Sequence, residues 1–178
     1  MERKLVAALA CRNKGSRLYG KPLQNLDVKG EIRIIDHIIN HLKQIDIIDS
    51  IVLGIAEGTE NEIYKQIANQ KKISYIVGDE EDVLKRLIMC GEKNRATDIF
   101  RITTESPFLY YQSIEELWEK YQKYKLDAIF QDDIVGLTFS EYHFKLSFSV
   151  STNSKHPLNS CISFKYIRIF NESFCISL

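Results

Sequence analysis

The densest concentration of chemistry-bearing residues in this 178-residue chain lies between Cys11 and Leu23. Arg12, Lys14, Arg17 and Lys21 crowd cations into one short stretch, with Gly15 and Gly20 between them. Arginine forks neutralise phosphate oxygens in pairs, and glycines let backbone N–H groups approach the same oxygens closely. Such a set suits a triphosphate, and its plain alternative is a solvated basic loop. Gly15 to Lys21 nearly spells the phosphate-binding pattern GxxxxGK[ST], but Pro22 stands where a hydroxyl would hold magnesium, so a P-loop NTPase is disfavoured. The dinucleotide pattern GxGxxG is absent, which lowers the case for an NAD enzyme.

Other groups in the sequence could also carry chemistry. His37 and His41 stand four apart on a helical stretch and could share a metal, but no third ligand is apparent, and an exposed helix face is the simpler expectation. Cys11, Cys90, Cys161 and Cys175 show no CxxC spacing, so reduced thiols fit best and a cysteine nucleophile has no supporting signature. Lys120 to Lys125 is rich in Lys and Tyr, yet Glu115, Glu116 and Glu119 beside it cancel the field that RNA would need.

The basic stretch needs a scaffold, and the surrounding pattern supplies one. Leu5 to Ala10 is continuously apolar, the mark of a strand covered on both faces of a parallel sheet. Ile34, Ile35, Ile38, Ile39, Leu42 and Ile45 recur at helical spacing over 33–45. Strand 50–55 follows, then a helix to about Asn69 opened by a Thr59/Glu62 capping box. Strand 73–77 precedes a helix carrying Val83, Leu84, Leu87 and Ile88, with Asp79 as its cap, and 98–102 is a fourth strand. A second capping box, Ser113/Glu116, opens a helix lined by Ile114, Leu117, Trp118 and Tyr121, whose aromatics are read as packing, before strand 127–130. Strands alternating with helices imply βαβ units, hence an α/β fold: a three-layer α/β/α sandwich on a mostly parallel sheet, with ligands at the carboxyl ends of the strands.

Composition bounds the class. One domain of ordinary globular make-up fits 20.7 kDa with 44% hydrophobic and 27% charged residues. With 24 basic and 24 acidic residues there is no overall field to gather nucleic acid or anionic membranes. The apolar run after the first residues is short and soon meets Arg12, so neither a secretory signal nor a membrane span is expected, and the expected location is cytoplasmic. Beyond Gly136 glycine disappears and serine becomes frequent, so 1–136 reads as a nucleotide-binding domain and 137–178 as an atypical tail. Within that tail 161–164 and 166–170 could be strands.

Three segments together carry a family resemblance. Arg12, Gly15-Ser16-Arg17-Leu18 and Gly20-Lys21-Pro22-Leu23 resemble the R-x-x-S-x-R-L-x-x-K-x-L signature of the sugar-acid cytidylyltransferases. That family makes CMP-3-deoxy-octulosonate and CMP-acylneuraminate, and includes spore-coat polysaccharide enzymes. Gly78 to Arg86 is similar to its G-x-x-x-D-V-L-x-R, and Arg101 to Pro107 to its R-x-T-x-D-x-P. The likeness covers about residues 4–135 and implies a nucleotide-diphospho-sugar transferase type of fold. It further implies transfer of CMP from CTP to a 2-keto sugar acid with release of pyrophosphate, in nucleotide-sugar and polysaccharide biosynthesis. Arg12 and Lys21 would be catalytic. Leu9, Ala10, Cys11, Arg12, Ser16, Arg17, Lys21, Asp82 and Arg86 would bind nucleotide, and Glu105 would bind Mg²⁺. The implied partners are CTP and a sugar acid, with a second copy of the chain as a further candidate.

The departures from the family pattern are equally specific. Glu105 stands for the family's aspartate and is one methylene longer, and Tyr19 stands for a common proline. Asp82 and Arg86, one helical turn apart, could instead pair with each other on the surface. A convincing counterpart of the family's C-terminal half-site is missing, and Glu141 is a weak candidate for a remnant of it. Two alternatives therefore stand beside the transferase: a catalytically impaired nucleotide-binding protein of the same fold, and a nucleotidyltransferase using another base or sugar.

Overall fold

The computed structural model describes residues 3–15, 18–27, 29–30, 32–105, 107–108, 111, 113–126, 128–130 and 174–177, the last four, 128 and 130 by backbone alone. Six strands form one sheet: β1 (Leu5–Cys11), β2 (Ser50–Ala56), β3 (Ser74–Gly78), β4 (Asp98–Thr103), β5 (Ala128–Phe130) and β6 (Phe174–Ser177). Four helices connect them: α1 (Ile34–Leu42), α2 (Glu62–Lys71), α3 (Val83–Lys93) and α4 (Ser113–Lys123). The order across the sheet is β3-β2-β1-β4-β6-β5, with β1 to β4 parallel and β6 antiparallel to both neighbours.

Two apolar faces make this a three-layer sandwich. Alternate β1 residues Leu5, Ala7, Leu9 and Cys11 pack with the stripes of α1, α2 and α4, while Val6 and Ala8 face Leu87 and Cys90 of α3. Because β1 is covered on both sides, its run reads as unbroken hydrophobicity. The expected α1 stripe is buried at Ile34, Ile35, Ile38, Ile39 and Leu42, and Trp118 and Tyr121 of α4 stack in the core with centroids 5.5 Å apart. Among the described residues, no helix is long and apolar enough to cross a membrane.

Several expected boundaries move, each for a visible reason. Thr59 does not cap α2: residues Thr59–Asn61 form a 3-10 turn, and Asn61 precedes the helix with no side-chain cap because its amide is engaged elsewhere. Asp79 does not cap α3 either. Its Oδ1 accepts from the backbone N–H of Glu81 and Asp82 at 2.8 and 2.9 Å, and Asp82 is the N-cap, accepting from Lys85 N at 2.9 Å. Those N–H donors hold the Asp79 carboxyl below its ordinary range. Ser113 is the first helical residue of α4 rather than its cap. β6 was not expected, and the strands read at 161–164 and 166–170 lie outside the described residues.

At the amino-terminal edge of the sheet, buried Asp98 gathers Arg3 Nε at 3.0 Å, Arg3 Nη2 at 2.7 Å, the Tyr121 hydroxyl at 2.9 Å and Thr97 Oγ1 at 2.7 Å. The Arg3 guanidinium also lies over the Tyr121 and Trp118 rings. Hydrogen bonding to Asp98 raises the Arg3 pKa. This cluster ties β4 to α4 and to the chain start, at the edge opposite the basic stretch.

Candidate functional site

The chain builds outward from β1 through β2 to β3, then returns to place β4 on the other side of β1. Reversal of strand order opens a crevice above the carboxyl ends of the two strands flanking it, where open α/β sheets bind ligands. The loop after β1 carries the basic stretch, and the loop after β4 carries Glu105. Thr104 Oγ1 donates to the Ala10 carbonyl at 2.9 Å and holds the two strand ends together.

The basic turn is anchored by a residue that sequence reasoning passed over. Asn13, only 4% exposed, receives the Tyr64 hydroxyl on Oδ1 at 2.8 Å, donates its backbone N–H to Asn61 Oδ1 at 2.8 Å and gives its side-chain amide to the Glu60 carbonyl. Its carbonyl accepts from Gly20 N at 2.8 Å, closing the loop on itself. Gly20 sits in the left-handed region at φ 61°, where a side chain is strained, and the next residues Lys21–Leu23 form a 3-10 turn packed on α1. Burial holds the Tyr64 phenol protonated far above its ordinary value, so it acts as a fixed donor. The signal for Asn13 was present as a short amide between two cations, but its partners lie about fifty positions away.

Two ion pairs join loops at this edge of the sheet, one of them across the β1/β4 crevice. Lys21 Nζ meets Glu105 Oε2 at 3.4 Å, with the side chains 41% and 49% exposed, so the phosphate cation and the metal-ligand candidate named from sequence are neighbours. Lys14 Nζ meets Glu80 Oε1 at 3.5 Å, toward the β3 side. Arg12 is exposed, and its charge, after burial, is the next contributor holding the Arg86 guanidinium below its ordinary pKa, so the two face one another electrostatically. Leu9 and Cys11 are fully buried in β1 and Ala10 is half-buried at its end. Ser16 and Arg17 lie outside the described residues.

Arg86 and Asp82 do not pair with each other. Arg86 is 1% exposed and donates Nη1 to the Asp79 and Glu80 carbonyls, the latter at 2.8 Å, so it braces the 79–82 turn from beneath. Its stem crosses Gly78, where an added Cβ would sit 3.1 Å from Arg86 Cγ. Arg86 Nε is buried without a hydrogen-bond partner.

The remaining candidates resolve differently. Burial pushes the Cys11 thiol up strongly and Cys90 up to about 12, so neither is a thiolate nucleophile near neutrality. His37 and His41 are half-buried rather than on an open helix face: the Phe108 ring approaches His37 edge-on and Tyr111 stacks on His41. Among the described residues, no three His, Cys, Asp or Glu side chains are placed to hold a metal by themselves.

Comparison with known proteins agrees with this geometry. The family model for cytidylyltransferases matches residues 7–159. A cytidylyltransferase from Leptospira borgpetersenii superposes with a TM-score of 0.65 at 16% identity, over 74% of this chain and 55% of that one, so this chain spans just over half of it. CMP:2-keto-3-deoxy-manno-octonic acid synthetase, solved with CTP, superposes at 0.60 with 17% identity over 98% of this chain and 74% of that one. Rv0371c of Mycobacterium tuberculosis, solved with manganese, superposes at 0.51 with 12% identity over 72% and 64%. No curated protein matches the chain in sequence. A family match over most of the length, on a sheet whose crevice carries the basic turn, places this chain in the cytidylyltransferase family.

Proposed function

We propose that the chain transfers CMP from CTP to a 2-keto sugar acid of the octulosonate or nonulosonate kind, releasing pyrophosphate in the cytoplasm. The observation that carries this reading is the meeting of Lys21 and Glu105 at the β1/β4 crevice. The acceptor hydroxyl forms a new bond to the α-phosphorus as the bond from that phosphorus to the bridging oxygen of pyrophosphate breaks. Such a step needs placement and positive charge more than a protein nucleophile. Lys21 and Arg12 supply charge to the departing pyrophosphate, and Arg17 is assigned to the same cradle from its place in the motif. The Leu9–Cys11 strand end lies beside the base or ribose, and Asp82 and Arg86 shape the turn that faces them.

A divalent ion, Mg²⁺ in this reading, fits the donor set. Glu105 offers one accessible carboxylate, and magnesium is commonly held by one or two carboxylates together with substrate phosphates rather than by a protein cage. Bound there, it would neutralise phosphate charge. Lys21 occupies Glu105 until the nucleotide arrives, and then exchanges a carboxylate for a phosphate oxygen.

Mixing the protein with CTP, Mg²⁺ and a panel of 2-keto sugar acids is expected to release pyrophosphate with at least one acid. CTP at one hundred times its Kd should also stabilise the fold by about 2.7 kcal/mol, and UTP, GTP and ATP by less. Stabilisation by CTP without pyrophosphate release would favour the non-transferring nucleotide binder, and equal stabilisation by all bases would count against CTP as donor.

A further inference from the structure

Arg12 is exposed and Lys21 half-exposed, both on long flexible stems, so the backbone beside each decides where its charge stands. Asn13 controls that backbone at both ends of the basic stretch. Its N–H donates to Asn61 Oδ1 at 2.8 Å, its side-chain amide donates to the Glu60 carbonyl, and its Oδ1 receives the Tyr64 hydroxyl at 2.8 Å. Its carbonyl receives the N–H of Gly20 at 2.8 Å. Arg12 precedes Asn13 and Lys21 follows Gly20, so one buried residue holds the backbone next to each cation. Asn61 is fixed in turn by donating Nδ2 to the Glu57 carbonyl at 3.2 Å, and the Glu57 N–H donates to the Gly78 carbonyl at 2.8 Å, at the end of β3. The Tyr64 hydroxyl also lies 3.3 Å from the Arg12 carbonyl, and so reaches both residues that open the stretch.

We propose that Tyr64 is a positioning residue for the two phosphate cations: its hydroxyl, carried by a helix packed in the core, locks Asn13, and Asn13 sets where Arg12 and Lys21 meet the departing pyrophosphate. The proposal rests on the reading that those cations receive the phosphates of CTP. Tyr64 is fully buried in the same core cluster as Ile67 and Ala68 of α2, so packing fixes its ring. Removing the hydroxyl alone leaves Asn13 Oδ1 buried without that donor, and an unsatisfied buried acceptor costs more than the lost bond. Turning the amide toward water relieves that cost at the expense of its bond to Glu60, so the contacts through Asn13 loosen as a unit. A misplacement of about 1 Å transmitted to a charge-stabilising group costs up to about 100-fold in rate. Tyr64 touches no reacting atom, and its effect runs through Arg12 and Lys21.

Steady-state pyrophosphate release by the full chain with CTP, Mg²⁺ and whichever 2-keto sugar acid supports turnover tests this, together with amide hydrogen exchange at Gly20. Tyr64→Phe, which keeps the ring and removes the hydroxyl, should lower kcat by about 10- to 100-fold, raise the KM for CTP by less than that, and speed exchange at Gly20. Tyr121→Phe removes another buried hydroxyl, the one that donates to Asp98 at the opposite edge of the sheet, and should lower the melting temperature while leaving kcat near wild type. On a Lys21→Ala background Tyr64→Phe should cost less than it does alone, since part of its effect runs through that cation. Wild-type kcat or unchanged Gly20 exchange in a folded Tyr64→Phe protein would overturn the proposal. A full multiplicative loss on the Lys21→Ala background, or an equal loss of kcat in Tyr121→Phe, would overturn it too. Should Tyr64→Phe fail to fold, Asn61→Ala, which removes the acceptor of the Asn13 N–H, is expected to show the same fall in kcat, and wild-type turnover there would sink the proposal. If the wild-type protein releases no pyrophosphate with any acid, the functional reading itself fails. Unchanged Gly20 exchange in Tyr64→Phe would then still refute the anchoring.

Discussion

Lys21→Ala is expected to lower turnover by about 10²- to 10³-fold, the loss typical when one preorganised charge or donor is removed from a transition state. Lys21 follows Gly20, whose left-handed backbone ends the basic turn, and it starts the 3-10 segment that packs on α1, so its direction is set by backbone rather than by chance. Its ammonium meets the half-exposed Glu105 at 3.4 Å, a pair worth little to stability in water. The melting temperature should therefore hardly move. Steady-state rates at saturating CTP, beside a thermal melt of the same sample, separate the two effects. A Lys21→Ala protein with near wild-type turnover would remove the residue from the reaction.

Asp98→Ala should do the reverse. Asp98 is fully buried and accepts from Arg3, Tyr121 and Thr97, and losing one partner of a buried charge pair costs about 3–5 kcal/mol. The Arg3 side chain is 31% exposed and can turn to water, so the lower end of that range applies. For a chain of this size that corresponds to a fall in Tm on the order of 10 °C. Because the cluster lies at the amino-terminal edge of the sheet, turnover per folded molecule well below the melt should stay close to wild type. Calorimetry and rates on one preparation would show it, and a Tm within a degree or two of wild type would mean the cluster contributes little.

The parts of the fold legible in the sequence were those written in local periodicity. The β1 run, the α1 stripe and the alternation of strands with helices all follow from which residues must be buried. Helix ends were harder, because Lys72, Arg95 and Lys125 take left-handed backbone just past α2, α3 and α4 where glycine usually signals a stop. The α3 cap was misplaced by three residues, since Asp79 and Asp82 are both able to accept backbone N–H groups and only the turn geometry chooses between them. β6 was illegible for another reason. Four residues carry no measurable period, and they pair with β4, more than seventy positions earlier.

The site was legible as chemistry and not as geometry. The motif named Arg12, Lys21 and Glu105, but only the strand order 3-2-1-4 explains why a turn after β1 and a turn after β4 share one crevice. Asn13 was missed because its role consists of long-range hydrogen bonds to Asn61, Glu60 and Tyr64. Arg86 was named for the nucleotide, and the structure adds a prior task in bracing the carbonyls of Asp79 and Glu80.

A crystal structure with CTP and Mn²⁺, the metal located by its anomalous signal, would decide the matter. The triphosphate should lie along the turn from Arg12 to Lys21, with the manganese at Glu105 and Lys21 Nζ moved from the carboxylate to a phosphate oxygen. A nucleotide bound elsewhere, with Lys21 still resting on Glu105 and no metal beside it, would contradict that placement.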